Sequence, residues 1–237
     1  MQANTFAISD WQQSEQTGGY WLISLTLASS SLFDVGTIFW LDSNPDPLYL
    51  FQQELQSNNV KLQLLSHSQI AKTISPGQLH SRPPKTPTTI PASANLLILG
   101  CGLEMANLFY IARQRLSSHV SGQTLALLHS EQDFPFTVKP ARFILPEMPA
   151  EAIGACPLLE DWKIGNRLAS DLGLPGCFEG RLTDLLERWI AYHNHQADTE
   201  PENWQVVACL PNEMQKKCLE ICQSTDWLNF IGIAYNA

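Results

Sequence analysis

Leu96-Leu97-Ile98-Leu99-Gly100-Cys101-Gly102-Leu103-Glu104-Met105-Ala106-Asn107 is the stretch that decides the fold. A short apolar run that breaks on two glycines and passes into an apolar-periodic helix reads as a buried parallel strand, a tight turn and a crossover helix. Backbone N–H groups at such a turn can approach a pyrophosphate, so Gly100 and Gly102 are candidate nucleotide-binding residues. The equal alternative is a turn that only lets helix and strand pack closely. Met105 stands where the third glycine of a G-x-G-x-x-G fingerprint would lie.

Downstream, strand and helix patterns alternate. The spacing predicts strands over 95–99, 124–129, 142–145 and 205–209, and helices over 105–116, 183–193 and 212–223, with Thr183 as N-cap of the second. That alternation argues a parallel sheet with crossover helices. Upstream, 20–28, 35–42, 47–51 and 60–66 read as short strands divided by Ser, Asn, Asp and Pro clusters, which suggests a small barrel. Between the halves, residues 81–91 hold four prolines in a polar stretch that neither a helix nor a central strand tolerates. The expected domains are therefore 1–92, a β-barrel, and 93–237, an α/β domain.

A second strand–turn–helix, Trp204-Gln205-Val206-Val207-Ala208-Cys209-Leu210-Pro211-Asn212-Glu213-Met214, and a middle segment, Gly176-Cys177-Phe178-Glu179-Gly180-Arg181-Leu182-Thr183-Asp184-Leu185-Leu186, follow the first in order. Together the three resemble the pyridine-nucleotide domain of the ferredoxin–NADP reductase superfamily, with its glycine-rich opening turn, G-x-V-T-D-L-L stretch and C-G-P-x-x-M closing turn. Flavin reductases and the electron-transfer subunits of dihydroorotate dehydrogenases are the members it is most similar to. The resemblance implies a flavin-binding barrel followed by an NAD(P)-binding α/β domain, and an NAD(P)H-dependent flavin oxidoreductase or electron-transfer subunit. It implies FAD or FMN stacked on Tyr49, a dinucleotide on Gly100 and Gly102, and Cys209 and Pro211 beside the nicotinamide.

After the second sheet strand, Ser130 and Glu131 lie where relatives select the adenosine ribose, and a carboxylate there would repel a 2′-phosphate, favouring NAD(H) over NADP(H). Pro47 and Leu50 stand where the family's barrel motif carries an arginine and a hydroxyl residue, and Leu210 where its closing turn carries glycine. Pro47 cannot supply a guanidinium fork for phosphate. Those departures motivate a second reading, a reductase-fold protein without cofactor chemistry that serves as a binding or regulatory partner. No cysteine follows Cys222, so the [2Fe–2S] cluster of the dehydrogenase subunits is not expected.

Composition bounds the rest. In 237 residues, 44% are hydrophobic and 16% charged, as in a folded globular chain, and the net charge of −9 opposes nucleic acid and anionic membranes. Residues 1–20 lack a signal-peptide pattern and no apolar run is long enough for a membrane span, so a cytoplasmic protein with free thiols is expected. A protein redox partner or a homodimer is the expected association. Cys218 and Cys222 share a helix face and His193 and His195 form an H-x-H, but core packing and a solvated loop are the readings adopted, and no metal site is expected.

Overall fold

The computed structural model describes residues 3–70, 77–85, 87–90, 95–118, 121–195 and 201–235. Six antiparallel strands come first: β1 (Asn4–Glu15), β2 (Trp21–Ala28), β3 (Ile38–Leu41), β4 (Asn44–Gln56), β5 (Asn59–Ser66) and β6 (Gln78–Arg82). They close into a barrel in the order β1-β2-β5-β4-β3-β6. Closure removes both sheet edges, and alternation along β2 and β5 sends Ile23, Leu25, Leu27, Val60, Leu62 and Leu64 into one sealed core. The sequence pattern missed β1 and β6. Ser81 and Arg82, expected in the linker, are the last residues of β6, where Ser81 pairs with Asn4 and Phe39. The expected division between residues 92 and 93 lies outside the described residues.

The second half is a parallel sheet: β7 (Asn95–Cys101), β8 (Thr124–Ser130), β11 (Gly165–Ser170), β12 (Phe178–Glu179), β13 (Trp204–Cys209) and β14 (Leu228–Gly232), in the order β12-β11-β8-β7-β13-β14. A small ribbon, β9 (Lys139–Pro140) with β10 (Gly154–Ala155), and a short helix, α2 (Pro157–Asp161), lie in the β8–β11 connection. Helices α1 (Met105–Ser117), α3 (Leu182–Asn194) and α4 (Asn212–Gln223) cover both faces. On one, Leu97, Leu99, Leu125 and Val206 meet Leu185, Trp189, Cys218 and Cys222 of α3 and α4. On the other, Ile98, Leu128 and Val207 meet Leu108, Phe109 and Ala112 of α1. This two-sided burial is why the strands read as continuous apolar runs.

Three local expectations change. Residues 142–145 form no strand, because Arg142 is engaged outside any ladder, its backbone N–H and guanidinium both donating to the buried Glu160 carboxylate. The third strand is instead β11, where buried Asn166 accepts from the Cys156 N–H and buried Arg167 donates to the Phe143 carbonyl, while Arg167 Nε has no hydrogen-bond partner. Helix α3 starts one residue earlier than expected, with Arg181 as N-cap and its N–H donating to Asp184, so Thr183 lies inside the first turn.

Barrel and sheet meet along β4 and α1. Phe51 packs on Phe109 with ring centroids 5.2 Å apart, and Gln53 donates to the Tyr110 hydroxyl at 2.7 Å. The Gly36 N–H donates to Asn107 Oδ1 at 2.9 Å in a buried contact.

Candidate functional site

The carboxyl edge of the parallel sheet, beside the barrel, gathers most of the expected site. Here β7 and β13 are neighbours, with Cys209 paired to Gly100, and the strand order reverses across this pair, the place where open α/β sheets receive ligands. The two glycines of the turn have different jobs. A Cβ on Gly100 would sit 2.8 Å from Leu108 Cδ1 and 3.1 Å from Met105 Cβ, so its lack of a side chain lets α1 close on β7. Gly102 has φ +55° and faces space: a Cβ placed there would find Glu104 Oε2 as its nearest neighbour, at 3.5 Å. It is the residue whose backbone a ligand can approach.

Glu104, just before α1, links this turn to the barrel. Its carboxylate accepts from the Tyr49 hydroxyl at 3.3 Å. Burial pushes the Glu104 carboxyl above its ordinary value, against the opposing effect of its hydrogen bonds. Burial, then Glu104, push the Tyr49 phenol up as well. The Tyr49 ring is buried and lies edge-on to Tyr235, with centroids 5.5 Å apart. The Tyr235 hydroxyl is buried without a hydrogen-bond partner and sits by the Cys209 thiol, itself fully buried and pushed up by desolvation.

Tyr49, Gly102 and Cys209 are thus brought to one place, joined through Glu104 and Tyr235. Three other candidates lie along the same edge but make no contact with these three. Ser130 is turned inward, its hydroxyl donating to Asp133 O at 3.0 Å and accepting from Gln132 N. Glu131 is exposed at the end of β8, and Pro211 is exposed at the start of α4. Leu210 packs fully buried against the α3–α4 face, opposite to the face that takes Cys209. Cys218 and Cys222 are core residues on that same face. His193 stands among Trp189, Trp204 and Trp227. Among the described residues no group of three His, Cys, Asp or Glu side chains could hold a metal, and no helix is long and apolar enough to cross a membrane.

Glu104 and Tyr235 escaped the sequence reading. Glu104 stood within the deciding stretch, but nothing local showed that a barrel tyrosine would reach it. Tyr235 lies beyond the last periodic segment and is placed only by the pairing of β14 with β13.

The side chains present suit part of a flavin. Tyr49 offers an aromatic ring in edge-on contact with Tyr235, and Gly102 an open backbone, with Glu104 between the two. A phosphate matches less well, because the charged groups acting on Cys101 at this edge are the acidic Glu104, Glu131 and Asp171, with Arg181 the cation acting on the neighbouring His129.

Comparison with protein-family models finds no match, and comparison with curated proteins finds none. Solved structures do match. The chain is similar to an Amycolatopsis cytochrome P450 reductase (TM-score 0.58, 13% identity, covering 98% of this chain and 70% of that one). It is similar to the ferredoxin–NADP+ reductase of Plasmodium falciparum (TM-score 0.57, 8% identity, 96% and 95%). It is also similar to the ferredoxin reductase in carbazole 1,9a-dioxygenase (TM-score 0.59, 10% identity, 98% and 69%). At such identities the likeness is one of architecture. With its closed six-stranded barrel leading into a parallel sheet, this chain has the ferredoxin–NADP reductase-like fold.

Proposed function

We propose that the chain acts in flavin-dependent electron transfer, as an NAD(P)H-dependent flavin oxidoreductase or the electron-transfer subunit of one, passing electrons to a protein partner. The observation that carries this reading is the meeting of Tyr49 and Tyr235 at the joint of barrel and sheet, beside Cys209 and the Gly102 turn. An aromatic pair at a topological switch point is a grip for a planar ring. The solved structures of similar fold bear reductase names, which supports the same class. The acidic edge makes the grip one for the ring rather than the phosphate, so flavin is taken up as a loosely held ligand. Titration with riboflavin, FMN and FAD tests this: the three should bind with similar affinity, and Tyr49→Leu should weaken all of them. A strong preference for FAD would show that phosphate recognition dominates instead.

A second reading, a cofactor-free binding or regulatory partner, is not the one the similar structures favour; what supports it is that Tyr235 lies edge-on against Tyr49 and that Cys209 is fully buried. Absence of heat on mixing with any flavin or with NADH would select it over the first.

A further inference from the structure

Three neighbouring strands end in a row of chemically active side chains that the flavin reading does not use. Cys101 is the last residue of β7, His129 is its register partner on β8, and Asp171 follows the last residue of β11. Cys101 Sγ lies 3.3 Å from His129 Nδ1. His129 Nε2 lies 3.2 Å from Asp171 Oδ2, in ion-pair range but off the line of a hydrogen bond. Cys101 is 4% exposed and His129 1%, whereas the Asp171 side chain is 44% exposed. The row thus runs from solvent to a buried thiol, beside the open face of Gly102.

We propose that Cys101, His129 and Asp171 form a thiol–imidazole–carboxylate set that carries out acyl transfer from an uncharged ester or thioester. A nucleophile at a strand-to-helix turn, a base on the next strand and a carboxylate near the base are the residue types this chemistry uses. As Cys101 Sγ bonds to the acyl carbon, its proton passes to His129 Nδ1, and the imidazolium is steadied by Asp171. The bond from the acyl carbon to the leaving oxygen or sulfur then breaks, and Nδ1 returns the proton to that leaving group. Water completes the cycle: Nδ1 takes its proton, hydroxide oxygen bonds to the acyl carbon, and Sγ leaves and is reprotonated.

The surroundings define the substrate. Burial, with Glu104, Glu131, Asp171 and Cys218 acting in the same sense, pushes the Cys101 thiol up to about 12. It is therefore a thiol at rest, and needs its base at the moment of attack. Those carboxylates outnumber the one cation acting here, Arg181, so a neutral acyl donor is favoured over a phosphorylated or carboxylated one. At His129, burial lowers the imidazole value, Asp171 and Glu131 raise it, and Arg181 lowers it.

The test is incubation of the full chain with p-nitrophenyl acetate across pH 5–9, acid quenching and peptide mass mapping. The expected result is an acetyl thioester on Cys101 in preference to the other five cysteines, absent in Cys101→Ala. His129→Gln should form it roughly 10²-fold more slowly. Asp171→Asn, a change at a half-exposed side chain, should move the acid limb of the pH profile to lower pH, because the imidazole loses a neighbouring negative charge. A purely structural role for Asp171 would leave that limb in place. No adduct on Cys101 in the wild type, or an adduct whose rate His129→Gln leaves unchanged in a folded protein, would overturn the proposal.

Discussion

The Tyr49 hydroxyl donates to the Glu104 carboxylate at 3.3 Å, so a barrel residue and the residue just before the first helix of the sheet half are held to one another. One interaction therefore ties the ring of the candidate site to the turn that precedes α1. The acceptor is a half-buried carboxyl with its proton affinity raised, which makes the joint sensitive to pH.

Glu104→Gln should reveal that sensitivity. The unfolded carboxyl titrates near its ordinary 4.5, whereas the folded one holds its proton to higher pH. Stability is accordingly lost as pH rises from about 4.5 through the raised folded value, and the loss persists above it. The amide cannot ionise, and its oxygen still accepts from Tyr49. Thermal unfolding should show variant and wild type close together at pH 4 and the variant more stable at pH 8. A difference independent of pH would show that the carboxyl carries no desolvation cost.

The two turn glycines should respond differently to substitution. Gly100→Ala places a methyl group 2.8 Å from Leu108 Cδ1 and should cost about 1–3 kcal/mol through overpacking. Gly102→Ala meets no clash but holds an L-residue at φ +55°, costing roughly 1–2 kcal/mol. Gly102→Asn should restore most of that, since asparagine tolerates the left-handed region. Urea titrations of the three variants check the order; equal losses for alanine and asparagine at 102 would remove the backbone argument.

Much of this architecture was legible because burial on both faces writes itself as apolar runs. Helix α4 was expected over 212–223 and spans those residues, and β8 and β13 were placed within one residue. Strand β11 hid because Asn166, Arg167 and Ser170 look like loop residues, and the main-chain partners of Asn166 and Arg167 come from distant segments. Of the candidate residues, Gly102, Cys209 and Tyr49, which the fold brings together, could be singled out from their sequence surroundings. Glu104, Tyr235, His129 and Asp171 could not, since each acquires its role from a register or a contact between distant segments.

Leu210 fills core rather than a vacated ligand space. It is fully buried against α3 and α4, on the opposite face of the sheet from Cys209. Leu210→Ala should destabilise by ~2–5 kcal/mol, as other large-to-small core changes do. Flavin affinity, measured on the folded variant, should be unchanged, and a large change would place Leu210 in the binding site.

His193 should limit stability on the acid side. Burial, outweighing Glu147 and Glu202, holds its imidazole below the ordinary 6.5, and its Nε2 is buried without a hydrogen bond. The unfolded chain therefore takes up a proton that the fold refuses, and stability falls as pH drops below about 6.5. Trp189, Trp204 and Trp227 around it make tryptophan fluorescence the natural probe. Urea unfolding of His193→Gln at pH 5 and pH 7 should show a smaller loss between the two than wild type; an identical loss would assign the acid sensitivity to other groups.

Electron transfer through a flavin gripped by its ring between barrel and sheet can be followed by absorbance. Its most direct test is anaerobic mixing of the purified chain with riboflavin or FMN and NADH or NADPH, followed at the flavin absorption band. Bleaching of that band at a rate proportional to protein, and strongly slowed by Tyr49→Leu, is expected. Flavin that stays oxidised with both nucleotides, at every protein concentration, would contradict it.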